Sequence, residues 1–147
     1  NEQHYQNIIN GILEKYLDYV IKDPFKEAIF LLNDTIRYFR SICVSYENSF
    51  INDNSKWVLR NVKLRHSRVI MYAGLLFLIL NASKRFKGVD TKLAYIKDHI
   101  NETPLEKIIG VYQENNDLGY KKVLGLYDFF LKKINDLSSF TILKKII

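Results

Sequence analysis

A run of twelve uncharged residues, Val69 to Leu80, constrains the fold of this chain more than any other feature of its sequence. A helix that spans a bilayer needs roughly 17–25 such residues, so the run predicts a buried helix and no membrane crossing. The preceding residues, Lys56 to Arg68, contain five Lys or Arg together with His66 and no Asp or Glu. We therefore expect one long helix, Lys56 to Arg85, that begins at the surface and ends in the core.

The rest of the chain also has the pattern of helices. It contains only six Gly and two Pro, which leaves few turns for a β-rich fold. Asp23-Pro24 and Thr103-Pro104 each match an N-cap followed by Pro at the first helical position, and Asp90 is predicted to cap another helix. The remaining predicted helices run over residues 2–21, 24–50, 91–100, 105–114 and 118–137, and the tail 138–147 is left open between helix and strand.

These patterns predict an all-α fold, a single bundle of five to seven helices around a central long helix. The 147 residues fit one domain, 1–147, and because the chain does not begin with Met we expect it to be excised from a longer protein. Cys43 is the single cysteine, which rules out an intrachain disulfide and a cysteine metal site and suits the reducing cytoplasm. The three His have no ligand spacing, so neither a metal nor a cofactor is predicted.

The basic half of the long helix is the strongest indication of function. At about 100° per residue, Lys56, Arg60 and Lys63 form one stripe, and Arg68 lies on a second face. Like charges at this spacing repel one another, and no acid on this stretch offsets them. Either acids on neighbouring helices neutralise this surface, or an anionic ligand does.

Two further arginines, one turn apart in IRYFR, precede the long helix. If the helix that carries these two arginines packs antiparallel to the basic helix, their guanidinium groups would lie on the same surface. Each guanidinium group could then bind a pair of phosphate oxygens. The predicted phosphate-binding residues are Arg37, Arg40, Lys56, Arg60, Lys63 and Arg68.

The segment that contains these residues resembles a region of a known group of proteins. IRYFRSICVSYENSF followed by KWVLRNVKLRHSR, within Ile36 to Leu75, resembles the helical region that follows the catalytic domain in uncharacterised bacterial nucleotidyltransferase-like proteins. The second half of that pattern is Lys-Trp-x-Leu-Arg-Asn-x-Lys-Leu-x-x-Ser-Arg. The resemblance implies an accessory domain, not catalytic on its own, that binds a nucleotide, nucleic acid or other phosphate-bearing ligand. The catalytic Gly-Ser and paired Asp of such proteins are absent from this sequence, so the implied partner is an upstream catalytic domain or another protein.

Two alternatives stay open. Arg60-Asn61-(x)4-His66 fits the motif of HEPN ribonucleases, metal-independent helical bundles in which Arg and His act on RNA at a homodimer interface, so Arg60 and His66 are alternative catalytic residues. On a regular helix these two side chains lie about 120° apart, which argues against one phosphate touching both from a single protomer. The other alternative is a protein-interaction bundle whose basic surface meets an acidic partner.

Overall fold

The computed structural model describes residues 2–18, 28–52 and 57–143, and within these ranges the fold is all-α with no strand. The elements are α1 Glu2–Asp18, α2 Ile29–Asn52, α3 Trp57–Lys63, a π-helical turn Leu64–Arg68, α4 Val69–Arg85, α5 Val89–His99, α6 Pro104–Glu114 and α7 Tyr120–Leu143. The segments α3, π-turn and α4 follow one another without a break and form the long helix. The predicted all-α bundle of five to seven helices is confirmed.

The helix ends show which local signals determined the structure. Thr103 caps α6 as predicted: its side chain accepts a hydrogen bond from the backbone of Glu106, whose carboxylate accepts from the Thr103 backbone, and Pro104 occupies the first turn. The cap predicted at Asp90 is wrong, because Gly88 takes the N-cap position and Asp90 lies in the first turn of α5. The Asp23-Pro24 signal lies outside the described residues.

The C-terminal tail, left open by the sequence, is settled over most of its length. Helix α7 continues to Leu143, six residues past the predicted end at Leu137. The four residues that follow lie outside the described part of the chain. The continuation favours the helical alternative for the tail.

The core lies where α1, α2, α4 and α5 meet. Its buried side chains are apolar, and helical stability in proteins comes mostly from packing such side chains together. These residues are Leu13, Leu17, Ala28, Leu31, Leu78, Ile79, Ala82 and Ile96.

Helix α4 approaches α6 at backbone distance. A Cβ placed on Gly74 would lie 2.6 Å from the carbonyl oxygen of Pro104 and 2.9 Å from its Cα. Only glycine fits at such an approach, and the contact between these helices is the most extensive of those described in the fold. Gly74 therefore sets the spacing between α4 and α6.

The apolar run is less buried than predicted, and the expectation that it is enclosed all round is wrong. Val69, Met71 and Leu80 are 38%, 44% and 40% exposed, because neighbouring helices cover only part of the circumference of α4. By length and composition the stretch Arg60–Arg85 would suffice to cross a membrane, and 28% of its apolar window is buried. Core helices meet the same criteria, so this finding is weak support for a membrane helix.

Candidate functional site

A π-helical turn interrupts the long helix at Leu64–Arg68. The backbone N–H of Val69 contacts the carbonyl of Leu64, five residues earlier. In a regular α-helix, positions five apart lie about 140° from each other, whereas the i→i+5 bonding of a π-turn brings them to the same side of the helix. The π-turn thus places Arg68 near the face that Lys63 occupies, and single π-turns of this kind occur frequently at functional sites.

A cavity of about 390 Å³ lies between α4 and α6, but the one at the π-turn, about 360 Å³, is lined by two of the predicted cations, Lys63 and Arg68. Helix α2 contributes one wall, α3 and the π-turn a second, and α7 a third. We call it the π-turn pocket; its lining residues are Tyr46, Lys63, Ser67, Arg68, Tyr127, Phe130, Leu131 and Ile134. Two cations and three hydroxyl groups line it, and none of its described lining residues is acidic.

The polar groups of the π-turn pocket have donors to offer. Arg68 is exposed, and its Nη1 donates to the sulfur of Met71 at 3.4 Å, a weak acceptor that leaves most of the guanidinium donors for other partners. Lys63 is exposed and Ser67 half-buried. Since Lys and Arg only donate, an anion is the complementary occupant of this surface.

A second, smaller pocket of about 160 Å³ lies between α2 and α4. We call it the α2–α4 pocket; its lining residues are Thr35, Tyr38, Phe39, Ile42, Arg68, Met71, Tyr72 and Leu75. The rings of Phe39 and Tyr72 stack with centroids 4.5 Å apart at 18°. Tyr38 is 64% exposed, so the pocket opens to solvent at that residue. Arg68 lines this pocket and the π-turn pocket alike.

The structure brings together two of the six predicted phosphate-binding residues, Lys63 and Arg68. Arg37 and Arg40 are exposed, and Arg37 pairs with Asp34 at 3.5 Å. On α2 both arginines lie about 100° or more from the Phe39 side of the helix, and they line neither pocket.

The other two predicted residues belong to the start of the long helix. Arg60 is half-buried one turn before the π-turn, and it too lines neither pocket. Lys56 lies outside the described residues. The convergence of all six cations on one site therefore stays a prediction, and the described part of it is the Lys63–Arg68 pair.

His66, the alternative catalytic residue, packs against α7. Its ring stacks on Phe130 with centroids 4.6 Å apart and planes 4° apart. Its Nδ1 lies 3.0 Å from the backbone carbonyl of Val62, which can only accept, so Nδ1 carries a proton. Because His66 lies within the π-turn and Arg60 precedes it, the 120° separation of a regular helix does not apply to them. The ribonuclease assignment stays a prediction.

A polar cluster that no sequence pattern predicted joins α4, α5 and α6. One carboxylate oxygen of Glu114 accepts from Asn81 Nδ2 at 2.6 Å, from Arg85 Nη1 at 2.5 Å and from the Tyr95 hydroxyl at 2.8 Å. Asn115 donates in turn to Asn81 Oδ1 at 3.1 Å. Asn81 is 3% exposed. Each of these groups has a partner within the protein, so the cluster ties three helices together.

The titration of this cluster follows from its contacts. Burial raises the pKa of Glu114, but hydrogen bonds from Tyr95, Asn81 and Arg85 favour the carboxylate more strongly and lower the pKa overall. Burial, with the hydrogen bond to Glu114, raises the pKa of Tyr95 to about 12. Both shifts favour the charge state that the hydrogen bonds require, a carboxylate beside a neutral phenol.

The described residues contain no group of three or more His, Cys, Asp or Glu side chains placed to hold a metal ion. The pocket chemistry thus consists of cations, hydroxyl groups and aromatic rings.

No protein-family model, no curated protein and no solved structure matches this chain.

Proposed function

We propose that the chain is a helical accessory domain that binds a nucleotide, a nucleic acid or another phosphate-bearing ligand through the π-turn pocket. The observation that carries the proposal is that Lys63, Ser67 and Arg68 line one cavity of about 360 Å³ that no acidic residue among those described enters. This volume is within the range of small-molecule sites. The net charge of +6 also favours an anionic ligand.

The chemistry of the pocket suits phosphate in particular. A guanidinium group presents paired N–H donors that match two phosphate oxygens, and an ammonium group adds a point charge. The hydroxyl group of Ser67 supplies a further donor on the same turn as Arg68. Carboxylate ligands share part of this chemistry, so the experiment compares phosphates with each other and includes a dicarboxylate.

The accessory role comes from the resemblance to nucleotidyltransferase-like proteins. In the pattern Lys-Trp-x-Leu-Arg-Asn-x-Lys-Leu-x-x-Ser-Arg, the last Lys, the Ser and the last Arg correspond to Lys63, Ser67 and Arg68. His66 falls on a variable position of the pattern. The role therefore includes a catalytic domain or partner protein elsewhere and a cytoplasmic location, which the single Cys43 supports.

Binding measurements on matched arginine variants test the proposal. Fluorescence anisotropy would follow a labelled single-stranded hexauridylate, with ATP, inorganic pyrophosphate and succinate as competitors. We expect Arg68→Ala and Lys63→Ala each to weaken phosphate binding about tenfold, the loss of one charge-assisted contact. Affinity should also fall as salt is added.

Arg65→Ala is the matched control. Arg65 is exposed on the same π-turn and donates from Nε to Asn61 at 3.0 Å, but it lines neither pocket. Its loss removes the same charge and should change affinity less than about twofold. Equal losses for Arg65→Ala and Arg68→Ala would reduce the site to a diffuse basic surface. An absence of phosphate binding at low salt would leave the protein-interaction bundle as the better description.

The ribonuclease alternative has its own readout in the same samples. A HEPN-type enzyme needs His66 and Arg60, whereas a phosphate-binding pocket needs Lys63 and Arg68. We expect RNA to stay intact with purified protein and a chelator, and His66→Ala to bind the hexauridylate about as well as the unmodified chain. Metal-independent cleavage that disappears in both His66→Ala and Arg60→Ala would make the enzyme assignment the correct one, and the dimeric state would then follow.

A further inference from the structure

We infer that the ligand is a single-stranded nucleic acid of at least two nucleotides, with a backbone phosphate at Arg68 and one base in each of the two neighbouring pockets. This inference rests on the proposed function and adds the ligand class. The feature that supports it is the position of Arg68, which lines the π-turn pocket and the α2–α4 pocket at the same time.

Both pockets beside Arg68 have aromatic walls. Tyr127 and Phe130 line the π-turn pocket, and Tyr38, Phe39 and Tyr72 line the α2–α4 pocket. Phe130 is buried and stacked on His66, and Phe39 stacks on Tyr72. The rings with accessible surface for a base are therefore half-buried Tyr127 in the π-turn pocket and exposed Tyr38 in the α2–α4 pocket. Bases bind single-strand readers by stacking on such rings, with little dependence on sequence. A cation shared by two aromatic-lined pockets matches the order base, phosphate, base along a nucleic acid strand.

The sizes of the pockets argue against a single nucleotide as the complete ligand. The α2–α4 pocket, about 160 Å³, is less than half the volume of the π-turn pocket and suits one base rather than a base with its sugar and phosphate. The π-turn pocket, about 360 Å³, is larger and contains Lys63 and Ser67. A mononucleotide occupies one of these cavities and leaves the other empty.

The same arrangement argues against double-stranded ligands. Bases in a duplex are stacked and paired, so they reach pockets between helices only after they unstack. The sites here are concave cavities between helices, with Phe39 and Tyr72 already stacked in the wall. Only a strand with free bases can place two of them on either side of Arg68.

Calorimetric titration with a graded set of probes tests the inference: inorganic pyrophosphate, UMP, the dinucleotide UpU, and a duplex RNA. We expect UpU to bind at least tenfold more tightly than UMP although it carries less charge, because it fills both pockets. We expect Tyr38→Ala to weaken UpU binding about fivefold, since stacking on one ring is lost, and to leave pyrophosphate binding unchanged.

Tyr5→Ala is the control for Tyr38→Ala. Tyr5 on α1 is 59% exposed, close to the 64% of Tyr38, and it lines neither pocket. Its loss should leave UpU affinity unchanged. UpU binding no tighter than UMP, or duplex RNA binding as tight as UpU, would overturn the inference. In that case pyrophosphate binding that still depends on Arg68 would leave the proposed function standing, whereas pyrophosphate binding indifferent to Arg68→Ala would overturn both.

Discussion

Two regions of the long helix, its C-terminal end and the π-turn, differ in whether their polar groups are used within the protein. At its C-terminal end, Asn81 and Arg85 meet Glu114, and the polar atoms of this cluster have partners inside the protein. At the π-turn, Lys63 and Arg68 line an open cavity beside α7, a helix whose Phe129 is 59% exposed. A region with satisfied contacts has nothing left to offer a ligand, whereas ligand sites come from the less densely packed part of a fold. The C-terminal region of the long helix thus stabilises the fold, whereas the π-turn region is the one available to a ligand.

The largest effect we expect comes from Gly74→Ala at the stable end. The added Cβ would lie 2.6 Å from the Pro104 carbonyl oxygen, so α4 and α6 must separate. We expect a loss of about 3 kcal/mol in the free energy of unfolding, at the upper end for overpacking, measured by urea denaturation.

Gly125→Ala on α7 is the matched control. A Cβ at Gly125 meets nothing within 4 Å, so the same substitution should stabilise the protein by up to about 1 kcal/mol through helix propensity. A Gly74→Ala protein as stable as the unmodified chain would show that α4 and α6 are not held at backbone contact.

An intermediate effect is expected from Glu114→Gln. The change removes the charge that three donors share, and we expect a loss of about 1.5 kcal/mol at pH 7. Because the folded protein lowers the pKa of Glu114, this stability is present above the ordinary carboxyl pKa and is lost as the pH falls through the folded value. The unfolding free energies of the two proteins should therefore converge in acid.

At alkaline pH the stability of the protein falls as the pH rises, opposite to its change with pH in acid. The folded protein raises the pKa of Tyr95 from 10.0 to about 12, so the contribution of Tyr95 is complete below pH 10 and is lost between about 10 and about 12. Glu47→Gln, at an exposed position of α2, is the control and should alter neither limb. A profile for Glu114→Gln that stays parallel to the unmodified protein down to pH 2 would contradict the assigned cluster.

The smallest effect is expected from Lys97→Ala on α5. Lys97 Nζ lies 2.6 Å from Glu14 Oε1 of α1, with the two side chains 27% and 54% exposed. Partly exposed pairs contribute less than about 1 kcal/mol, so global stability should change little. Amide hydrogen exchange in α1 should nevertheless accelerate, since this pair holds α1 to α5. Uniform acceleration across α4 and α6 would mean that α1 opens only with the whole domain.

Helix positions could be predicted from the sequence because local signals determine them. The Thr103-Pro104 cap and the unbroken run to Arg85 are examples in which spacing alone decides the structure. The π-turn could not be predicted, since one additional residue within a helix leaves no mark in composition. Nor could the role of Gly74 be predicted, because its contact with Pro104 depends on how α4 and α6 pack.

For a related reason, only part of the candidate site could be predicted from the sequence. Lys63 and Arg68 could be found as cations without neighbouring acids. Tyr46 and Tyr127 come from helices whose docking depends on tertiary packing, and no sequence spacing predicts it. No spacing in the sequence singled out Glu114 or Tyr95, because only the fold brings them to Asn81.

The contacts of α1 have a consequence for the order of folding. Glu14–Lys97 and Gln6–Asn101 join residues 83 and 95 positions apart, whereas Asn81–Glu114 joins residues 33 apart. Closing the 83-residue loop instead of the 33-residue one costs about 0.8 kcal/mol more in chain entropy. The segment from α4 to α6 can therefore assemble by itself early. Helix α1 precedes that segment in the chain but docks onto it afterwards.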